Sequence, residues 1–145
     1  MAKPKGSQRD AGPAESTAGF RRTRQDHAQE TAEDYVEAIA QLADDEGNCR
    51  VKDLADRLGV SHVTVIRVTH RLTERGLITT EPYKPLRLTA KGQRLAEACA
   101  ARHAAVVAFL LKLGVDERTA AIDAEGIEHH LSDKTLAAMR AFTDR

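Results

Sequence analysis

Tryptophan is absent from this chain of 145 residues, and all aromatic residues together make up only 3% of it. A core without large rings must be filled by Ala, Leu, Val and Ile, which suits packed helices better than stacked sheets. Cysteine is scarce too. Cys49 and Cys99 follow no Cys-x-x-Cys spacing, which argues against a disulfide framework or a structural zinc knuckle and fits a reducing compartment. No apolar run approaches the length of a membrane span, and the amino terminus has no hydrophobic signal region. The expectation is a soluble, cytoplasmic protein with no membrane partner. Net charge is missing as well: 22 Lys and Arg cancel 22 Asp and Glu, so overall charge names no partner.

The distribution of charge says more. Residues 1–24 carry six basic and two acidic side chains, and residues 25–49 carry none and eight. Residues 50–94 carry ten basic and four acidic, and residues 95–145 six and eight. A basic middle between acidic flanks predicts one face for a polyanion and another for cations. The chain is long enough for one ordinary domain or two small ones sharing a core.

Residues 1–25 are rich in Lys, Arg, Gly, Ser, Thr and Pro and read as a flexible basic arm. Arg21, Arg22 and Arg24 in it are either phosphate contacts or part of a solvated tail. From about Asp26 to Ala43 the spacing of Ala32, Tyr35, Val36, Ile39 and Leu42 predicts an amphipathic helix. Asp34 and Glu37 flank its apolar stripe. Residues 51–58 form a short helix closed by Gly59, and Ser61 is a ready N-cap for a second helix through about Arg75.

The run Leu-Ala-x-x-Leu-Gly-Val-Ser-x-x-Thr-Val resembles the helix-turn-helix of bacterial transcription regulators. Leu54, Leu58, Val60, Val65, Val68 and Leu72 would pack the two helices together. Ser61, His62, Thr64, Arg67, His70 and Arg71 are then left to face a major groove. Residues 77–89 contain two β-rich runs around a Pro-bounded loop, which reads as the wing of a winged helix. There Tyr83, Lys84 and Arg87 are candidates for the phosphate backbone. The partner this predicts is double-stranded operator DNA.

Thr89 is the expected N-cap of a long helix over about 90–113, with Leu95, Cys99, Val106, Leu110 and Leu113 on its apolar stripe and His103 interrupting it. Asp116 should cap the next helix and Ser132 the last, which runs through Phe142. Apolar rows over 106–113 and 136–142 predict a homodimer. On the helix after Asp116, Glu125, Glu128 and His129 stand at i, i+3 and i+4 and leave one face. Two carboxylates and an imidazole are hard or borderline ligands, suited to Mn²⁺, Fe²⁺ or Zn²⁺. For an isolated Glu-x-x-Glu-His, a solvated acidic face is the plainer explanation. Here Asp34, Glu37 and His103 offer matching ligands from elsewhere in the chain.

The combination of Asp34-Tyr35-Val36-Glu37, Arg102-His103 and Glu125-Gly126-Ile127-Glu128-His129-His130 resembles the manganese transport regulators. These are the Mn²⁺-responsive branch of the diphtheria toxin repressor family. The resemblance covers about residues 26–145. It implies a mainly α fold: a winged helix-turn-helix DNA-binding domain over 26–93, then a helical metal-binding and dimerisation domain over 94–145. It further implies that Asp34, Glu37, His103, Glu125, Glu128 and His129 hold two Mn²⁺ ions per subunit, with Fe²⁺ a possible substitute. One ion would take Asp34, Glu125, Glu128 and His129. The other would take Glu37, His103 and oxygens shared from Glu125 and Glu128. In iron-responsive relatives a Met stands at the position of Asp34 and a Cys at that of Glu125, so oxygen donors here favour hard Mn²⁺.

The function expected from the resemblance is a manganese-responsive repressor of metal-uptake genes, binding operator DNA as a metal-activated homodimer. It is not an enzyme and takes no small organic substrate. Two other readings compete. One is a metal-independent winged-helix regulator with a merely solvated acidic cluster. The other is a di-metal hydrolase, since carboxylate-bridged ions also activate water. The hydrolase leaves the DNA reader unexplained, and the sequence offers no further general acid.

Overall fold

The computed structural model describes residues 13–145, which form six helices and a two-stranded hairpin. Residues 1–12 of the expected arm lie outside the described residues. The first helix, α1 (Pro13–Leu42), begins well before Asp26. Pro13 takes the first helical position, where a backbone N–H would have no intrahelical partner, and Glu, Ala, Arg and Gln then favour the helix. Residues 20–28 are exposed, so no apolar stripe marked this extension in the sequence. Burial starts further on, where Ala32, Tyr35, Val36 and Ile39 face the core.

Helices α2 (Val51–Leu58) and α3 (His62–Glu74) follow as the spacing predicts. Between them Gly59 adopts φ +66°, and its N–H returns to the Ala55 carbonyl. A side chain is disfavoured in that left-handed conformation. Ser61 Oγ then accepts from the Thr64 N–H at 3.1 Å and starts α3. The wing is β1 (Ile78–Thr79) paired antiparallel with β2 (Arg87–Leu88), in register Ile78 with Leu88. Its base is tied to the turn after α1 by reciprocal bonds between Cys49 and Leu86, at 2.9 and 2.8 Å.

Thr89 caps α4 (Ala90–Lys112), as expected, by accepting from the Gly92 N–H. Gly92 is required there for a different reason: a Cβ would lie 2.0 Å from the Leu77 carbonyl oxygen. Only a glycine lets the start of α4 pass that close to the wing. Asp116 caps α5 (Glu117–Ile127) and Ser132 caps α6 (Asp133–Thr143). The α-helix does not continue to His130. It tightens after Ile127 into a 3₁₀ turn over Glu128–His130.

Two apolar clusters hold these elements. The larger joins α1, α2, α3, the wing and the start of α4 through Val36, Ile39, Leu54, Val65, Leu72, Leu77, Ile78 and Ala96. The smaller joins α4, α5 and α6 through Val106, Ala124 and Leu136. Val106 and Leu136, expected in exposed dimerisation rows, are therefore buried within the chain. The large apolar side chains left exposed on these helices are Leu111, Leu113, Ile122, Ile127 and Phe142. Both cysteines are free and buried, and burial raises their thiols to about 11 for Cys49 and about 12 for Cys99, which keeps them protonated and inert.

Candidate metal centre

Helix α1 packs along α4 and touches the 3₁₀ turn, so side chains distant in sequence meet in one place. His129 Nε2 lies 3.1 Å from Asp34 Oδ1 and 3.6 Å from Glu128 Oε1. His103 Nδ1, reaching in from α4, lies 2.7 Å from Glu128 Oε2 and 3.7 Å from Glu125 Oε1. Glu128 thus stands between the two histidines, one oxygen toward each. Asp34, Glu37 and Glu125 line a cleft of about 280 Å³ together with Gln41 and Arg57. Ligand atoms of Asp34 and His129 form one close group and those of His103, Glu125 and Glu128 a second, while Glu37 lines the cleft without joining either.

The donor chemistry fits a divalent cation. Glu128 is 1% exposed, yet its Oε1 has no hydrogen-bond partner. A buried oxygen left unpaired is costly unless something cationic completes it. Burial raises the carboxyl of Glu128 above its ordinary value and Glu37 adds to this, although His103 and His129 oppose it. Burial likewise raises Asp34 and Glu37, and the Glu125 charge pushes both the same way. Four carboxylates and two imidazoles packed together repel unless protons or a metal share the charge.

Glu33, which the ligand spacing did not point to, organises this set. It is buried on α1, beside Asp34 but turned toward α4. His129 Nδ1 donates to its Oε2 at 2.7 Å, Gln29 Nε2 donates at 3.0 Å, and Arg102 Nη1 approaches at 3.4 Å. Burial works against the ionised form of Glu33, but the bonds from His129 and Gln29 and the charge of Arg102 outweigh it and lower its pKa. A carboxylate can only accept, so Nδ1 carries a proton, and in the neutral ring Nε2 is the nitrogen whose lone pair can take a cation. Holding a ligand imidazole by its far nitrogen fixes both tautomer and ring plane. For His129 itself, burial opposes the charged form, but the Glu33 bond and the nearby carboxylates raise its pKa overall.

The DNA-facing candidates lie on α3 and the wing. His62, Arg67, His70 and Arg71 are exposed on α3. Ser61 and Thr64 are engaged with each other at the start of that helix, so their hydroxyls serve first as its cap. On the wing, Lys84 pairs with Glu81, and Arg87 Nη2 donates to the Glu46 carbonyl at 2.6 Å. Tyr83 stands fully exposed at the tip with φ +62°. Two residues of α3 escaped the sequence reading because they are apolar: Val63 is 73% and Ile66 60% exposed. Exposed methyl groups on such a helix can meet the C5-methyl of thymine.

Known families match both halves of this arrangement. Residues 27–86 match the iron dependent repressor N-terminal DNA binding domain, and residues 89–145 match the iron dependent repressor metal binding and dimerisation domain. The chain belongs to the iron-dependent repressor family. It is a family of transcriptional repressors, not of enzymes. The transcriptional regulator MntR of Escherichia coli O157:H7 is 46% identical over 131 residues, which is 90% of this chain and 84% of that protein. MntR of Salmonella typhimurium is 44% identical, over 90% of this chain and 83% of the relative.

Among solved structures, a manganese-dependent transcriptional repressor in complex with manganese superposes with TM-score 0.68 at 33% identity, over 78% of this chain and 52% of that one. The manganese regulator SloR superposes with TM-score 0.67 at 26% identity, over 78% and 53%. The chain thus spans about half the length of these two structures. The iron-dependent repressor halves meet just before α4. Asp34 and Glu37 lie in the DNA-binding half, and His103, Glu125, Glu128 and His129 in the other. The candidate metal centre bridges the two.

Proposed function

We propose that this chain is a Mn²⁺-activated repressor of metal-uptake genes that binds operator DNA as a homodimer. The observation that carries the proposal is the meeting of Asp34, from the DNA-binding half, with His129 and Glu128, from the other half, around a buried oxygen that lacks a partner. Asp34, Glu125, Glu128 and His129 would hold one ion; Glu37 and His103, with oxygens of Glu125 and Glu128, would hold the second. A bound divalent cation supplies the positive charge that this cluster lacks.

The residues do the rest. Asp34 and Glu37 belong to the helix that also carries Val36 and Ile39 into the core beneath α2 and α3. Fastening those carboxylates to His129 and Glu128 fixes the DNA-reading unit relative to α4, α5 and α6. In a dimer built on the latter helices, two copies of α3 must match half-sites about 34 Å apart. Ligands that hold both units in that arrangement favour the DNA-competent state, which is how binding at one site raises affinity at another. Leu111, Leu113, Ile122, Ile127 and Phe142 supply apolar surface for the dimer contact. A DNA-binding protein with this role works in the cytoplasm, and among the described residues no helix is long and apolar enough to cross a membrane.

Oxygen donors at the positions of Asp34 and Glu125 favour Mn²⁺, with Fe²⁺ the nearest substitute. The experiment is selection from a genomic fragment pool with Mn²⁺, with Fe²⁺ under anaerobic conditions, and with chelator. Recovery of the same fragments at equal affinity in all three would refute the proposal.

A further inference from the structure

We propose that Glu30 is an additional ligand residue, giving the ion at Asp34, Glu128 and His129 a further carboxylate oxygen. This deepens the metal-site reading above and rests on it. Glu30 precedes Asp34 by one turn of α1, so the two side chains leave the same face. Ligand-competent atoms of Glu30, Asp34 and His129 all lie within 4.8 Å of one another. That spacing allows one cation to touch all three.

A group of acidic residues alone would carry little weight. The independent observation is Glu128, whose buried and unpartnered Oε1 lies 3.6 Å from the same His129 Nε2 that faces Asp34. An oxygen short of a positive partner therefore lies beside the same histidine that Glu30 approaches. Glu30 itself is loosely held: its Oε2 is 3.5 Å from His130 Nε2, beyond a good hydrogen bond, and its side chain is partly exposed. A long carboxylate side chain so placed can swing one turn along α1 to meet an ion.

The chemical consequence is selectivity. An extra carboxylate adds negative charge and an oxygen donor where Mn²⁺ prefers about six ligands, and it gives least advantage to cations that favour nitrogen, sulfur or four-coordination. The test is calorimetric titration of the full chain with Mn²⁺ and with Zn²⁺, alongside low-temperature EPR of the bound Mn²⁺. Glu30→Gln should weaken Mn²⁺ binding about tenfold, weaken Zn²⁺ binding less, and leave the metal-free unfolding midpoint in place. His130→Gln should bind Mn²⁺ as the parent does.

Mn²⁺ affinity in Glu30→Gln within about twofold of the parent would overturn the proposal, as would an equal loss in His130→Gln, which would place the effect in that pair. Asp34→Ala separates this proposal from the one beneath it. If the parent binds Mn²⁺ and Asp34→Ala weakens it, an unaltered Glu30→Gln removes only the additional ligand. A parent with no saturable Mn²⁺ site overturns both.

Discussion

Glu33 makes the sharpest test of how the site is held, because it would touch no metal in the proposed arrangement. Replacing it with Ala removes the acceptor for His129 Nδ1 and Gln29 and the charge facing Arg102. Breaking a buried ion pair from one side costs about 3–5 kcal/mol when the remaining charge is fully enclosed. Arg102 is 22% exposed and also donates to the Glu128 carbonyl, so a loss of about 2 kcal/mol is the better figure. For a chain of this length that corresponds to a fall in melting temperature of roughly 6–8 °C.

Glu33→Gln is the finer probe. Its side-chain oxygen can still accept from His129 Nδ1, so the stability loss should fall to about 1 kcal/mol. The imidazole nonetheless loses the negative charge that makes Nε2 a better donor, and Mn²⁺ affinity should drop about tenfold. Thermal unfolding in chelator and Mn²⁺ calorimetry separate the two effects. Were Glu33→Gln to bind Mn²⁺ like the parent, the argument that Glu33 orients His129 for a metal would be wrong.

Further outcomes follow from the same geometry. Asp34→Ala and Glu128→Ala should remove the Mn²⁺-induced rise in operator affinity while far-UV circular dichroism stays that of the parent. Burial, reinforced by Glu37, raises the Glu128 pKa above 4.5, so the folded state holds that proton more tightly than the unfolded chain. The resulting stability is present below the unfolded value and lost as pH rises through the folded one. Metal-free Glu128→Gln should therefore gain on the parent as pH rises above the ordinary carboxylate range, as read by denaturant titration; a constant gap would contradict the sign. Gly92→Ala must displace the Leu77 carbonyl and should cost about 3 kcal/mol or more in unfolding free energy. Arg67→Ala should relax sequence preference in a binding-site selection. Lys84→Ala should instead weaken all sequences alike and lower the salt slope by about one.

Much of this was legible in the sequence where local chemistry decides. Gly59 and Ser61 mark the turn between α2 and α3 because a left-handed residue and an N-cap have few substitutes. Thr89, Asp116 and Ser132 mark helix starts for the same reason. The family resemblance named six ligands; of these the structure sets His129 beside Asp34 and gathers His103, Glu125 and Glu128. What escaped depends on tertiary approach. Nothing about Glu33 in the linear pattern shows that it faces His129 rather than water, since it resembles any acid on a polar helix. Gly92 looked like an ordinary helix residue until Leu77 was placed beside it. Val106 and Leu136 were assigned to a dimer row because periodicity identifies an apolar face without saying which neighbour covers it. The early start of α1 was hidden because helix propensity, with no stripe to accompany it, leaves little trace.

The claim on which the account turns is that the carboxylate–imidazole cluster couples the DNA-reading half to the other half. The direct measurement is the operator affinity of the parent chain at one fixed ionic strength, in saturating Mn²⁺ and in chelator, beside the same pair for Asp34→Ala. The account predicts an affinity ratio of about tenfold or more for the parent and near unity for the variant. A parent that binds its operator equally well in both solutions would contradict it.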